Sequence, residues 1–316
     1  MTRPHSSEVT LEKLTYLDLP DCYRLSNGTV EVIVTTSVGP RVLRYGFRGE
    51  DNMLGELKDD GLETALGQFK PWGGHRLWVA PEAMPGSYAP DNSPIEFQIE
   101  ADNTIHLMPP PEPETGIQKE MTIRLDPTGT GVTIRHKIIN SHHWTITASP
   151  WALTIMRGGG EVILPQEPYR SHDEYLLPAR PLVLWHFTDL SDPRWTIGQR
   201  YIRLRTDAAR TEPQKIGITN KQGWAAYHHR ETLFVKRFAY QEDATYPDYG
   251  SNNETYTAAE FIELESLAPL RRLEPGMAAE HIERWYLFGN VRRGETEAEI
   301  DAAISPLIAQ TSMSDD

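Results

Sequence analysis

Among 316 residues there is a single cysteine, Cys22, which excludes an internal disulfide framework and suits a reducing compartment. No run of about eighteen apolar residues occurs, so no transmembrane helix and no membrane association is expected. Residues 1–14 are polar and mixed in charge, without the apolar stretch of a signal peptide, and the cytoplasm is the expected location. Positive charge is also short. Lys and Arg number 31 against 45 Asp and Glu, for a net charge of −14, so a phosphate backbone is repelled and nucleic acid is not an expected partner. The short pairs Arg271-Arg272 and Arg292-Arg293 read as solvated surface.

The strong chemical motifs are missing too: no P-loop, HExxH, CxxC or GxSxG is present, and no cofactor is expected. Gly158-Gly159-Gly160 lacks the downstream pattern of a nucleotide loop. Cys22 has no histidine near it in sequence to make it a nucleophile. His142-His143 and His228-His229 are neighbours that would face opposite sides of a strand, so they cannot chelate one ion together, and no metal site is expected.

Strand signals dominate what remains, as short alternating or β-branched runs bounded by Gly, Pro, Asn and Asp. Residues 30–35 (VEVIVT) and 41–47 flank the turn-rich Ser37-Val38-Gly39-Pro40. Runs at 96–100 and 104–108 flank Ala101-Asp102-Asn103, and runs at 122–125 and 132–139 flank a second hairpin connection. Others fall at 201–205, 215–218, 224–228, 233–238, 261–267 and 281–288. Turn signals recur about every 8–12 residues, the spacing of a sandwich or barrel. One helix is expected near 296–310, opened by a Thr296/Glu299 capping box and kinked or shortened by Pro306, with a frayed tail over 311–316. Residues 59–68 carry weaker helical spacing. The proline-rich stretch 109–113 reads as a rigid loop, and no linker divides the chain, so one domain over 1–316 is expected.

Three segments could carry chemistry. Residues 71–78 place Gly73-Gly74 beside His75, Arg76, Trp72 and Trp78, with Glu82 and Tyr88 following. Sugars want aromatic platforms for their C–H faces and charged or bidentate partners for their hydroxyls, and this stretch supplies both. The bland alternative is that the tryptophans are core and His75 makes a structural hydrogen bond. In the run 261–267, period-two geometry sends Glu263 and Glu265 to one face, next to the polar segment 251–256 with Glu254. The third segment, 149–154, holds Trp151. Lys236, Arg237 and Asp248 are weaker candidates.

These residues together resemble the galactose-mutarotase-like superfamily. The resemblance rests on Trp72 to Trp78, on 150–160, and most specifically on the acidic strand FIELESL followed by Leu273-Glu274-Pro275-Gly276 and His281-Ile282-Glu283-Arg284-Trp285. It implies an all-β fold, a β-supersandwich, with a sugar cleft on one concave sheet. It also implies an aldose 1-epimerase-like isomerase that acts on a small sugar or sugar derivative. Glu265 would take the anomeric proton, His75 would protonate the ring oxygen, and Arg76 would anchor a hydroxyl. Where the family carries a histidine in the middle strand, this chain has Trp151, which can stack on a sugar but cannot transfer a proton. A non-catalytic carbohydrate-binding or sensing domain is therefore the alternative, with Trp72, Trp78, Tyr88 and Trp151 as platforms. A lyase or hydrolase acting on an oligosaccharide is a more distant one.

Overall fold

The computed structural model describes residues 9–314. Period-two alternation and frequent turn residues produce two large antiparallel sheets packed face to face. The first sheet runs from Thr10–Tyr16 through Leu19–Ser26, Val30–Thr35 and Arg41–Phe47 to His75–Ala80. It continues through Ile146–Met156, Phe261–Leu267, Asn253–Ala258 and Gln214–Ile218 to the edge strand Leu182–Leu184. The centre of the second sheet is formed by Ile117–Leu125, Val132–Asn140, Ala278–Phe288 and Thr232–Phe238. Val32, Leu77, Ile123, Ile134, Leu264 and Trp285 belong to the continuous apolar core between the sheets. The fold is an all-β supersandwich, as the residue pattern implies.

The helix Glu297–Ile308 begins at the Thr296/Glu299 capping box and lays Ile300, Ile304 and Ile308 against Ile163, Trp224 and Val235 on the outer face of the second sheet. It runs two residues past Pro306, which sits in the last turn and neither stops the helix early nor shortens it. Thr311 is buried, held by a 2.6 Å bond from Arg237 Nε, while residues 315–316 of the expected tail lie outside the described residues.

Two local expectations fail. Residues 59–68 hold no helix; Leu62–Thr64 pairs with Gly67–Phe69 instead. Gly67 at φ 117° and a 2.8 Å bond from the Thr64 hydroxyl to the Gly67 carbonyl close that hairpin. The Gly-Gly-His-Arg segment, read as a loop from its glycines, is strand on both sides of Gly74: Trp72–Gly73 pairs with Glu56–Leu57, and His75–Ala80 follows. Gly73 and Gly74 take φ 85° and 70°, and a Cβ at Gly74 would lie 2.1 Å from the Val42 carbonyl oxygen. A regular strand then starts at His75, so alternation governs every side chain from there on.

Candidate functional site

The middle of the first sheet sets the site. His75–Ala80 pairs with Ile146–Met156, which pairs with Phe261–Leu267, which pairs with Asn253–Ala258. The register aligns Trp78 with Trp151, and Arg76 with Leu153 and then Glu265 and Glu254 across four strands. These residues share the outer, concave face. His75 aligns with Thr154 and then Leu264, so it shares the opposite face, towards the second sheet.

On the concave face lies a cavity of about 300 Å3, lined by Phe69, Arg76, Trp78, Glu82, Tyr88, Trp151, Trp185, Phe187, Lys215, Tyr256 and Glu263 among others. Trp78 meets Trp151 edge to face with centroids 5.3 Å apart, and Tyr88 packs on Trp78 at 4.9 Å. A larger hollow, about 430 Å3 beside Arg44, Asp51 and Arg157, has Phe261 as its only aromatic wall and lacks the stacked platforms.

Beneath the aromatic floor is a knot of charge. Lys215 Nζ lies 2.9 Å from Glu254 Oε2 and 3.3 Å from Glu265 Oε2, and sits over the rings of Trp151 and Trp185 at 4.6 and 4.7 Å. Trp151 Nε1 donates to Glu265 Oε2 at 2.8 Å. Burial alone would lower the Lys215 ammonium, but Glu265 and Glu254 outweigh it and hold it above its ordinary value. Desolvation, only partly offset by Lys215, pushes the Glu254 carboxyl well above the usual carboxylate range. Glu263 is half-buried at the cleft wall; desolvation first and the Glu265 charge second push its carboxyl well up. Glu82, on the rim, accepts a 2.6 Å bond from the Tyr88 hydroxyl.

The cleft thus gathers Arg76, Trp78, Glu82, Tyr88, Trp151 and Glu263, with Glu254 and Glu265 sealed under it at zero exposure. It does not gather the other three candidates. Trp72, at φ 57°, packs with Leu19, Cys22 and Leu43 behind the loop. Lys236 belongs to the second sheet, and its ammonium bonds Glu283 Oε1 (2.8 Å) and the Leu264 carbonyl (3.0 Å) between the sheets. His75 also lies between the sheets, completely buried, so it cannot stand across a sugar ring from Glu265: adjacent strand residues face opposite ways, and Arg76 has the cleft side. Lys215, Trp185, Phe187 and Tyr256 were not among the sequence candidates.

His75 instead joins a buried polar network. His136 Nδ1 donates to the His281 carbonyl at 3.1 Å, which leaves its Nε2 to accept from His75 Nε2 at 2.6 Å. The Thr154 hydroxyl serves His75 Nδ1 at 2.8 Å. Ser266 bridges His281 Nε2 (2.6 Å) to Glu283 Oε1 (2.5 Å), and Trp285 Nε1 donates to Glu283 Oε2 at 2.8 Å. His75, His136 and Glu283 bring three possible ligand atoms within 4.8 Å. Two imidazole nitrogens on one tetrahedral ion stand roughly 3.4 Å apart, however, and the 2.6 Å contact is a hydrogen bond. Lys236 beside the carboxylate disfavours a cation further.

Desolvation lowers the histidines of this network, His136 to about 4 and His281 to about 3. A histidine lowered on folding binds its proton in the unfolded chain first, so its contribution to stability is present above about pH 6.5 and is lost as pH falls towards 4. The raised Glu254 and Glu263 act in the opposite sense, losing stability as pH rises above the ordinary carboxylate range. The cleaner measurement is therefore site-resolved. Imidazole NMR signals of His136 are expected to stay in the neutral, Nδ1-protonated form at pH 5; an imidazolium spectrum there would refute the network.

No protein-family model matches the sequence, and no curated protein matches it. Solved structures do match. A candidate aldose 1-epimerase from Klebsiella pneumoniae superposes with a TM-score of 0.58, at 10% identity, over 91% of this chain and 83% of that one. A candidate mutarotase from Salmonella typhimurium gives 0.56 at 11% identity, over 85% and 90%. A galactose mutarotase-like protein from Lactobacillus casei gives 0.53 at 11% identity, over 84% and 99%. At such identities the likeness is one of fold, and the fold is the galactose-mutarotase-like sandwich.

Proposed function

We propose that the concave cleft binds a sugar ring. The observation that carries this reading is the meeting of the half-buried Trp185 and Tyr88 rings and the exposed Phe187 with the Arg76 guanidinium and the Glu263 carboxyl in one cavity of about 300 Å3, over a buried floor of Trp78 and Trp151. Aromatic faces suit the C–H side of a pyranose, and charged or carboxyl groups suit its hydroxyls. The names of the structural relatives, mutarotase and aldose 1-epimerase, point the same way. A cavity this size is at the lower end for small-molecule sites, which favours a single ring over an oligosaccharide. Titrating neutral and acidic monosaccharides while recording tryptophan emission is expected to give a saturable change that Trp185→Ala abolishes. Unchanged emission with every sugar of the set would end the reading.

A second reading, interconversion of anomers, is favoured by Glu263. A carboxyl whose proton is held more tightly by burial suits the role of proton donor to a ring oxygen, and Glu82 on the rim offers a second carboxyl for the anomeric hydroxyl. The ring would open, C1 rotate, and closure return the other anomer. The roles suggested by resemblance for His75 and Glu265 pass to Glu263 and Glu82 because the former pair have no exposed surface in the cleft. Polarimetry on fresh α-glucose and α-galactose is the check. Wild type is expected to accelerate equilibration, and Glu263→Gln to lose about 100-fold or more of that acceleration. An inert wild type that still binds sugar leaves a binding domain.

A further inference from the structure

Arg76 is the most unusual polar side chain of the cleft. Its side chain is 4% exposed, no hydrogen bond from it is found among the described residues, and Nε is wholly enclosed. Two neighbouring rings crowd it: the guanidinium carbon lies 4.4 Å from the Phe69 centroid and 5.0 Å from that of Trp78, and those two centroids are 6.0 Å apart. The nearest carboxylate, Asp91, stands 3.7 Å away and is taken by Arg41, whose Nη2 holds it at 2.6 Å. Arg41 donates also to the carbonyls of Pro71 (2.9 Å) and Lys70 (3.1 Å), with its Nε enclosed away from the cavity. Two guanidiniums therefore share one carboxylate, and of the two it is Arg76 that borders the cavity.

A buried guanidinium without partners is costly, and it persists where a ligand completes it. The unmade bonds are several donors in a rigid plane, which match a carboxylate edge-on through two parallel N–H···O bonds. Glu82 and Glu263 already stand in the cleft, so the anion of least charge meets the least repulsion: a carboxylate brings one negative charge, a phosphate about −1.5 to −2.

We propose that the ligand of the cleft is a sugar acid, a uronate or aldonate-type ring, whose carboxylate is held bidentately by Arg76 while the ring lies against Trp185. This specifies the substrate class of the sugar-binding reading and rests on it.

The test compares glucuronate and galacturonate with glucose, galactose and glucose 6-phosphate by calorimetry and tryptophan emission, on wild type, Arg76→Lys and Arg76→Gln. Thermal melts of each variant establish that it is folded. The uronates are expected to bind wild type at least about 10-fold more tightly than the neutral parents. Arg76→Lys, which keeps the charge and loses the fork, is expected to lose about 10-fold for uronates and to erase most of their preference over the neutral parents. Equal affinity for glucuronate and glucose, or uronate binding unaffected by Arg76→Lys, would overturn the sugar-acid proposal and leave the sugar cleft intact. A preference for glucose 6-phosphate over glucuronate would overturn it in favour of a phosphate ligand. Absence of binding by all five compounds would overturn both readings at once. If Arg76→Lys and Arg76→Gln both fail to fold, the wild-type ratio of uronate to neutral sugar decides alone.

Discussion

Lys236→Met is expected to cost about 3–5 kcal/mol of stability, a drop of roughly 10 °C in melting temperature. Lys236 and Glu283 are both at zero exposure, 2.8 Å apart, in the middle of the sandwich. Burial works against the Glu283 carboxylate, but Lys236 together with the neighbouring His75, His136 and His281 outweighs it and holds that carboxyl below its usual range. Take away the ammonium and a charge stays behind in an apolar core. Met matches the length of the lysine stem, so little of the loss comes from packing. A second substitution separates charge from shape. Lys236→Met with Glu283→Gln keeps acceptor and donor atoms for Ser266 and Trp285 while removing the orphan charge, and is expected to be more stable than Lys236→Met alone. A single-variant loss under about 2 °C, or a double variant worse than the single, would show that the pair is not the charge balance of the core.

The same pair explains why function in this chain was only half legible. Alternation reveals strands well: the runs at 30–35, 41–47, 201–205 and 261–267 coincide with observed strands, and Glu263 and Glu265 share a face as period two requires. It revealed less where glycines interrupt. Gly73-Gly74 reads as the start of a loop, which would leave His75 and Arg76 free to point the same way. The positive φ values end at Gly74, and from His75 the pleat divides the two between core and cleft. Residues 59–68 show apolar residues at helical spacing, but Gly67 turns the chain back and a hairpin wins. Lys236 reads in the sequence as a candidate for a polar cleft, and Lys215 as an ordinary strand lysine. Nothing local marks either as buried, because the carboxylates that hold them lie 47 and 39–50 residues further along the chain. Trp185 and Phe187 sit beside the edge strand Leu182–Leu184, in a stretch with little regular structure to give them a face. Non-local pairing of charges is what sequence periodicity does not encode.

Lys215→Met is expected to be destabilising in a pH-dependent way, and the direction tests the electrostatics of the cleft floor. Lys215 is the cation within 3.3 Å of both Glu254 and Glu265, and those carboxyls have no exposed surface. Glu254 is held well above the usual carboxylate range even with Lys215 pulling it down, so removing the cation raises it further above the unfolded value of about 4.3. A carboxyl raised on folding contributes stability that is present below the unfolded value and is lost as pH rises towards the folded one. The deficit of Lys215→Met relative to wild type should therefore be small at pH 5 and large at pH 8, growing by up to about 1.4 kcal/mol per pH unit for each carboxyl still protonated in the fold. Thermal melts of both proteins at pH 5, 6.5 and 8 measure it. A deficit independent of pH, or larger at pH 5, would mean that Lys215 contributes only packing against Trp151 and Trp185.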